Sequence, residues 1–127
     1  MSWQTYVDTN MVGTGKISRG AIHGHDGSVW ATSPGFSVHL NEVKAILKAY
    51  QDPSEVRANG LLVNDVKYIV LRVVDDRSLY AKKGNSGIVA VKTKQAILIG
   101  VYDEPIQPGE ANKVVESLGD YLISVSY

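Results

Sequence analysis

The chain has 127 residues, 44% hydrophobic and 20% charged, with no cysteine. Its 13 basic and 13 acidic residues cancel, which argues against a general nucleic-acid binder, a class that usually carries a basic excess. A chain of this length buries about two-thirds of its unfolded surface without help from metal or disulfide, and with no leader-like segment or long apolar run it reads as one soluble, cytosolic domain over residues 1–127.

Ser2 is placed to cap a short helix in which Trp3, Tyr6, Val7, Asn10 and Met11 project over neighbouring turns, with Gly13 and Gly15 ending it. Trp3 and Tyr6 stand one turn apart. Large aromatics at such a spacing either attach the helix to the core or face outward, and the spacing leaves both open. Ile17 to His23 and Ser28 to Thr32 predict two strands joined at Asp26-Gly27, a dipeptide suited to positive φ in a tight hairpin. Trp30 falls on the second strand. His23 and His25 could share a strand face, with His39 as a remote third ligand, but neither cysteine nor an acidic cluster beyond Asp26 completes a zinc set. The histidines therefore read as ordinary polar residues, and no metal or cofactor is expected.

After the breaker Ser33-Pro34-Gly35, apolar residues at Leu40, Val43, Ile46, Leu47 and Tyr50 predict an amphipathic helix with Lys44 and Lys48 outward. Asp52-Pro53 ends it, and Pro53 to Arg57 adds a turn before Asn59-Gly60. The period then changes. Gly60 to Val63, Tyr68 to Val74, Leu79 to Lys82, Gly87 to Val91 and Ala96 to Tyr102 are short β-rich runs whose connectors are too brief for parallel crossovers, so they predict an antiparallel meander. Ile69-Val70-Leu71 and Ile97-Leu98-Ile99 are apolar at consecutive positions. Such runs imply a sheet covered on both sides.

In the last segment, Pro108 suits a first helical turn, and Ala111, Val114, Val115, Leu118, Leu122 and Val125 form one stripe. Glu110, Lys113, Glu116, Ser117 and Asp120 fall on the wet side, while Tyr121 and Tyr127 lie near the stripe's edge. The expected architecture is α+β: a central antiparallel sheet with the N- and C-terminal helices on one face and the Leu40 to Tyr50 helix on the other.

Charge is uneven along the chain. Seven basic residues between Val66 and Ile99 (Lys67, Arg72, Arg77, Lys82, Lys83, Lys92, Lys94) oppose Asp75 and Asp76, a balance of +5, whereas the last 28 residues balance at −4. A basic side offered to an acidic partner follows. Catalytic signatures are missing: there is no G-x-S-x-G elbow, no cysteine, and no serine marked by a nearby histidine. The loop Lys82-Lys83-Gly84-Asn85-Ser86-Gly87 has the composition of a phosphate cradle but lacks P-loop spacing and precedes a strand. It reads instead as an exposed basic turn that can meet carboxylates or lipid phosphates.

Four motifs in order resemble the profilin family over essentially the full chain, and plant and protist members more than animal ones. They are Ser2-Trp3-Gln4-Thr5-Tyr6-Val7-Asp8, His25-Asp26-Gly27-Ser28-Val29-Trp30-Ala31, the Lys82 to Gly87 turn, and Tyr102-Asp103-Glu104-Pro105 with Pro108-Gly109 and Val114 to Leu122. The resemblance implies a non-enzymatic, cytoplasmic, cytoskeleton-associated protein, expected to be a monomer. Its implied partners are monomeric actin, whose nucleotide exchange it would speed, proline-rich proteins and phosphoinositide head groups.

By the same resemblance, Trp3, Tyr6, Trp30, Tyr121 and Tyr127 are expected to line an exposed polyproline groove. Arg72, Lys82, Lys83, Lys92, Asn112 and Lys113 are carried over to the actin surface, and Arg72, Arg77, Lys82 and Lys83 to phosphoinositides. Two departures stand out: Ser117 replaces a base found in some relatives, and Pro34 is unexpected after Trp30-Ala31-Thr32-Ser33. The competing class is a phosphoinositide-responsive membrane-surface protein or small-molecule sensor on the same scaffold.

Overall fold

Short connectors dictate the topology. The strands are β1 (Arg19–Gly24), β2 (Val29–Thr32), β3 (Leu61–Val63), β4 (Val66–Val74), β5 (Ser78–Lys83), β6 (Ser86–Lys92) and β7 (Ala96–Tyr102). In the computed structural model, which describes residues 2–127, they form one sheet in the order β2-β1-β7-β6-β5-β4-β3. Every pairing is antiparallel. The β3 to β7 run is the expected meander, and β7 closes against β1 from Arg19↔Val101 to Gly24↔Ala96.

Layering follows from β7, which is buried at every position. Ile97, Ile99 and Val101 enter one core cluster, while Ala96, Leu98 and Tyr102 enter the other. Side chains alternate across a strand, so a segment apolar at every position needs cover on both faces. One cover is α2 (Leu40–Gln51), with Val43, Ile46, Ala49 and Tyr50 inward, followed by the short α3 (Ser54–Asn59) with Val56. The other joins the N-terminal helix to α4 (Pro108–Ser124), which buries Ala111, Val115, Leu118 and Leu122.

The N-terminal helix is irregular. A single turn, α1 (Trp3–Thr5), passes into a π-helical stretch, Tyr6–Met11, and a 3-10 turn, Val12–Thr14. Ser2 caps it as expected, its Oγ accepting from the Thr5 N–H at 3.1 Å, and Gly15 at φ 76° ends it. The wide π turn still turns Val7 and Met11 fully inward. On α4, Gly119 permits close approach to the sheet, since a Cβ there would stand 2.8 Å from Val91 Cγ1.

Two expectations need correction. Val125 was placed on the buried stripe, but α4 ends at Ser124 and Val125 is exposed beyond it. The Ile69-Val70-Leu71 run was expected to be covered on both sides, yet Ile69 is 66% and Leu71 56% exposed. The terminal helices lie over β1, β6 and β7 and do not extend across β4. Only Val70 of this run packs against the core beneath α2.

Two buried polar groups differ in how they are satisfied. Glu42 accepts the backbone N–H groups of His39 at 2.9 Å, Asn64 at 2.8 Å and Asp65 at 2.9 Å, tying the start of α2 to the β3–β4 turn. His23 is 1% exposed. Its Nδ1 lies 3.3 Å from the Gly27 carbonyl, whereas Nε2 has no partner among the described residues. Burial holds its pKa below the ordinary 6.5, against a smaller opposing effect of the Gly27 carbonyl.

A depressed histidine pKa means that the unfolded chain binds the proton more readily, so stability is full above pH 6.5 and falls as pH drops towards the folded value. His39 has the opposite sign, because Asp65 raises its pKa. Denaturant titrations of the parent and of His23→Gln between pH 7.5 and 5 separate the two. The parent is expected to lose up to about 1.4 kcal/mol per pH unit more than the variant in that window.

Candidate functional site

The five aromatics singled out from the sequence converge at one end of the paired terminal helices. Trp3 is the hub. Its ring centroid lies 4.6 Å from Trp30, 5.6 Å from Tyr6 and 5.0 Å from Tyr127, the last edge-on at 86°. Tyr6 continues the cluster to Tyr121 at 6.1 Å. Tilted and edge-on pairs are favourable ring arrangements, but the cluster caps the second core without entering it: Trp3, Tyr6 and Trp30 are half-buried, and Tyr121 and Tyr127 are 48% and 41% exposed. The ambiguity left by spacing is therefore resolved geometrically: these rings present aromatic surface to solvent.

Each ring is held by its own element. Trp30 comes from β2, and a Cβ at Gly24 on the neighbouring strand would stand 3.0 Å from its Nε1, so glycine makes room for the indole. A hydrogen bond with Tyr121, and then desolvation, raise the Tyr6 pKa above its ordinary value. The Tyr6 phenol therefore stays protonated at neutral pH and can donate.

Tyr127 depends on residues that pattern reading passed over. Its main-chain oxygen accepts the Gln95 N–H at 2.6 Å and the Thr93 hydroxyl at 2.8 Å. Gln95 Nε2 donates to the Ser126 carbonyl at 3.0 Å, and Tyr127 N–H donates to Leu122 at 2.8 Å. Thr93 is itself buried and accepts the Ala96 N–H at 3.0 Å. The β6–β7 turn thus latches the end of the chain. The only sequence signal was a polar pair, Thr93 and Gln95, beside a strand start.

A second surface lies across the bare part of the sheet. Ile69 pairs with Lys82 and Arg72 with Tyr80, so a bulge at Leu71 lets Ile69 and Arg72, three apart, share one face with Tyr80 and Lys82. The Arg72 guanidinium sits 4.7 Å above the Tyr80 ring, a cation–π geometry. Leu71 and Lys82 border a cleft of about 340 Å³ closed by Tyr102 and the 104–108 loop. From α4, Glu116 meets the Tyr80 hydroxyl, which turns that side of the helix, with Asn112 one turn earlier, towards the patch.

Not every basic residue joins this patch. Lys92 contacts both Asp76 oxygens, at 2.8 and 2.9 Å, and lies 5.9 Å from the Tyr50 ring on the α2 side of the sheet. Arg77 is committed to α4, donating to Asp120 at 2.6 Å and to the Glu116 carbonyl at 3.2 Å. Lys82 and Lys83 are consecutive strand residues, so they leave opposite faces. Lys113 points along the other flank of α4, towards the N-terminal helix. The histidines are also dispersed: His25 meets the Ala96 carbonyl, and His39 pairs with Asp65.

An antiparallel sheet with helices on both faces, paired terminal helices and an open aromatic cluster at their junction defines a small α+β scaffold with a profilin-like layout. The Profilin family model matches residues 1–127. The chain is 54% identical to Profilin-2 of Acanthamoeba castellanii over 127 residues, all of both chains, and 44% identical to the profilin of Saccharomyces cerevisiae with both fully covered. The crystal structure of Acanthamoeba castellanii profilin II superposes with a TM-score of 0.95 at 53% identity, covering 99% of this chain and 100% of that one. Mouse profilin IIa, solved in complex with a double repeat from the FH1 domain of mDia1, shares the fold at 24% identity and a TM-score of 0.84. The chain belongs to the profilin family, and is accordingly an actin-binding protein that regulates actin polymerisation.

The latch is testable without any ligand. Thr93→Val should cost about 1–2 kcal/mol of stability and raise acrylamide quenching of tryptophan fluorescence as Tyr127 leaves Trp3, whereas Thr93→Ser should preserve both.

Proposed function

We propose that the protein is a two-site, non-enzymatic adaptor of the cytoplasm, with residues 1–127 acting as a single domain. Actin monomer binds the bare sheet face and a proline-rich segment binds the aromatic cluster. The observation that carries the proline reading is the cluster itself: five half-open rings around Trp3, on a surface with phenol and indole donors. A polyproline II ligand loses little conformational entropy on binding, its rings stack on aromatic faces, and its carbonyls accept from Trp N–H and Tyr O–H groups.

For actin, the support is the pair of exposed apolar residues, Ile69 and Leu71, flanked by Arg72 and Lys82 and bordered by Asn112. Apolar surface left open beside unopposed positive charge suits an acidic protein partner. Lys113 lies on the other flank of α4 and Lys92 on the α2 side of the sheet, so neither adjoins this surface. Bound there, the protein speeds nucleotide release only by holding actin more tightly in an open conformation than in a closed one. Phosphoinositide head groups would use Arg72 and Lys82 of the same surface, with Lys83 leaving the strand on the opposite face and Arg77 already engaged by Asp120. Lipid and actin then compete.

Trp3 and Trp30 are the only tryptophans, so intrinsic fluorescence reports directly on the cluster. Titration with polyproline should give a saturable change, and Tyr6→Ala should weaken it roughly ten- to hundredfold while the protein stays folded. No change, together with no binding by calorimetry, would remove the proline reading. For the other face, Lys82→Glu with Lys83→Glu should lower actin affinity at low salt by about tenfold and abolish salt-sensitive binding to phosphoinositide vesicles. Unaltered actin affinity would sink that assignment.

A further inference from the structure

Past the aromatic cluster the N-terminal helix and α4 run antiparallel. Tyr6 meets Tyr121 at one end, and the Lys16–Glu110 ion pair, at 2.7 Å, closes the other. Between these ends lies a groove of about 420 Å³. Its floor is Val114 and Leu118, and its rims carry Asn10 on one helix and Ser117 and Lys113 on the other. The groove opens onto the cluster through its two shared rings, Tyr6 and Tyr121.

The dimensions and chemistry suit a continuing peptide. Eight residues separate Tyr6 from Thr14, a helical rise of about 12 Å. An extended chain at about 3.1 Å per residue covers that length in roughly four residues. Among the described residues, the Asn10 amide, the Ser117 hydroxyl and the Lys113 ammonium make no hydrogen bond or ion pair, whereas Lys16, beyond the end of the groove, is neutralised by Glu110. Lys113 is thus an unopposed positive charge at the far end of an apolar trough.

The geometry points to this groove as a specificity site for the residues flanking a proline run: about four extended residues, with an aliphatic side chain over Val114 and Leu118 and an acidic one at Lys113. It rests on the proline reading of the aromatic cluster. The cluster grips any polyproline helix, while the trough selects among proline-rich partners by what adjoins the prolines. Asn10 and Ser117 supply the polar contacts that the flanking backbone needs once its carbonyls leave water.

Calorimetry tests it with three peptides: decaproline, decaproline followed by Gly-Leu-Ser-Glu, and decaproline preceded by Glu-Ser-Leu-Gly, the two tails allowing for either chain direction. One tailed peptide should bind roughly tenfold more tightly than decaproline, the effect of burying about one aliphatic side chain. Ser117→Trp, a substitution at an exposed position, should fill the trough, erase that gain and leave decaproline binding unchanged. Lys113→Glu should transfer the preference to the same tail carrying Lys in place of Glu. The inference is overturned if neither tail improves binding, or if the gain survives Ser117→Trp. Failure of decaproline itself to bind is a different result, which removes the cluster reading and this inference with it.

Discussion

Everything in this fold answers to a strand that cannot face water on either side. β7 is buried at all seven positions, and burying apolar area at about 25 cal/mol per Å² makes exposure of either face prohibitively costly. Two helical layers are the consequence. β7 pairs with both β1 and β6; the terminal helices lie over these three strands, the α2 layer sits towards β3, β4 and β5, and neither terminal helix is wide enough to reach the distant edge. The bare face of β4 and the tight pairing of the two termini are thus two results of one packing demand.

That demand also explains where aromatic and apolar surface is left open. The terminal helices settle on the sheet through Gly119 on one and the inward-turned Val7 and Met11 on the other, and their junction leaves rings too large to be swallowed by the core. Trp3 is clamped by neighbours from three elements, β2, the N-terminal helix and the chain end. A surface made of rings already fixed in place loses little entropy when a ligand arrives. On the bare sheet, the β4 bulge and the Arg72–Tyr80 stacking hold a cation flat over an aromatic face instead of letting it wander in solvent.

Periodicity made most of the architecture legible. Alternation and connector length were enough for the meander, and the 3.6-residue stripe of α4 identified four of its buried residues. The failures have separate causes. Ile69-Val70-Leu71 and Ile97-Leu98-Ile99 are equivalent as text, and only their distance from the covering helices makes one run a core and the other a surface. Val125 was misplaced because a stripe read from spacing does not reveal where hydrogen bonding stops. The aromatic residues were legible as a set through ordered motifs, but the latch was not: Thr93 and Tyr127 are 34 positions apart and joined through a main-chain oxygen, which no side-chain pattern encodes. Pairings such as Arg77 with Asp120 and Lys92 with Asp76 were equally invisible, so charge counted along the chain overstated the cations gathered in one place.

The two flanks of α4 have a further meaning. One flank, with Glu116 and Asn112, is turned to β5 and the bare sheet, and the other, with Val114 and Tyr121, is turned to the N-terminal helix. The helix is a rigid partition, pinned to the sheet by Tyr80 and Arg77. Whatever occupies both flanks at once is held at a separation set by the width of a single helix, about 10–12 Å. Two molecules otherwise meeting by diffusion would then react as though tethered, at an effective concentration governed by the stiffness of that partition and not by their abundance in solution.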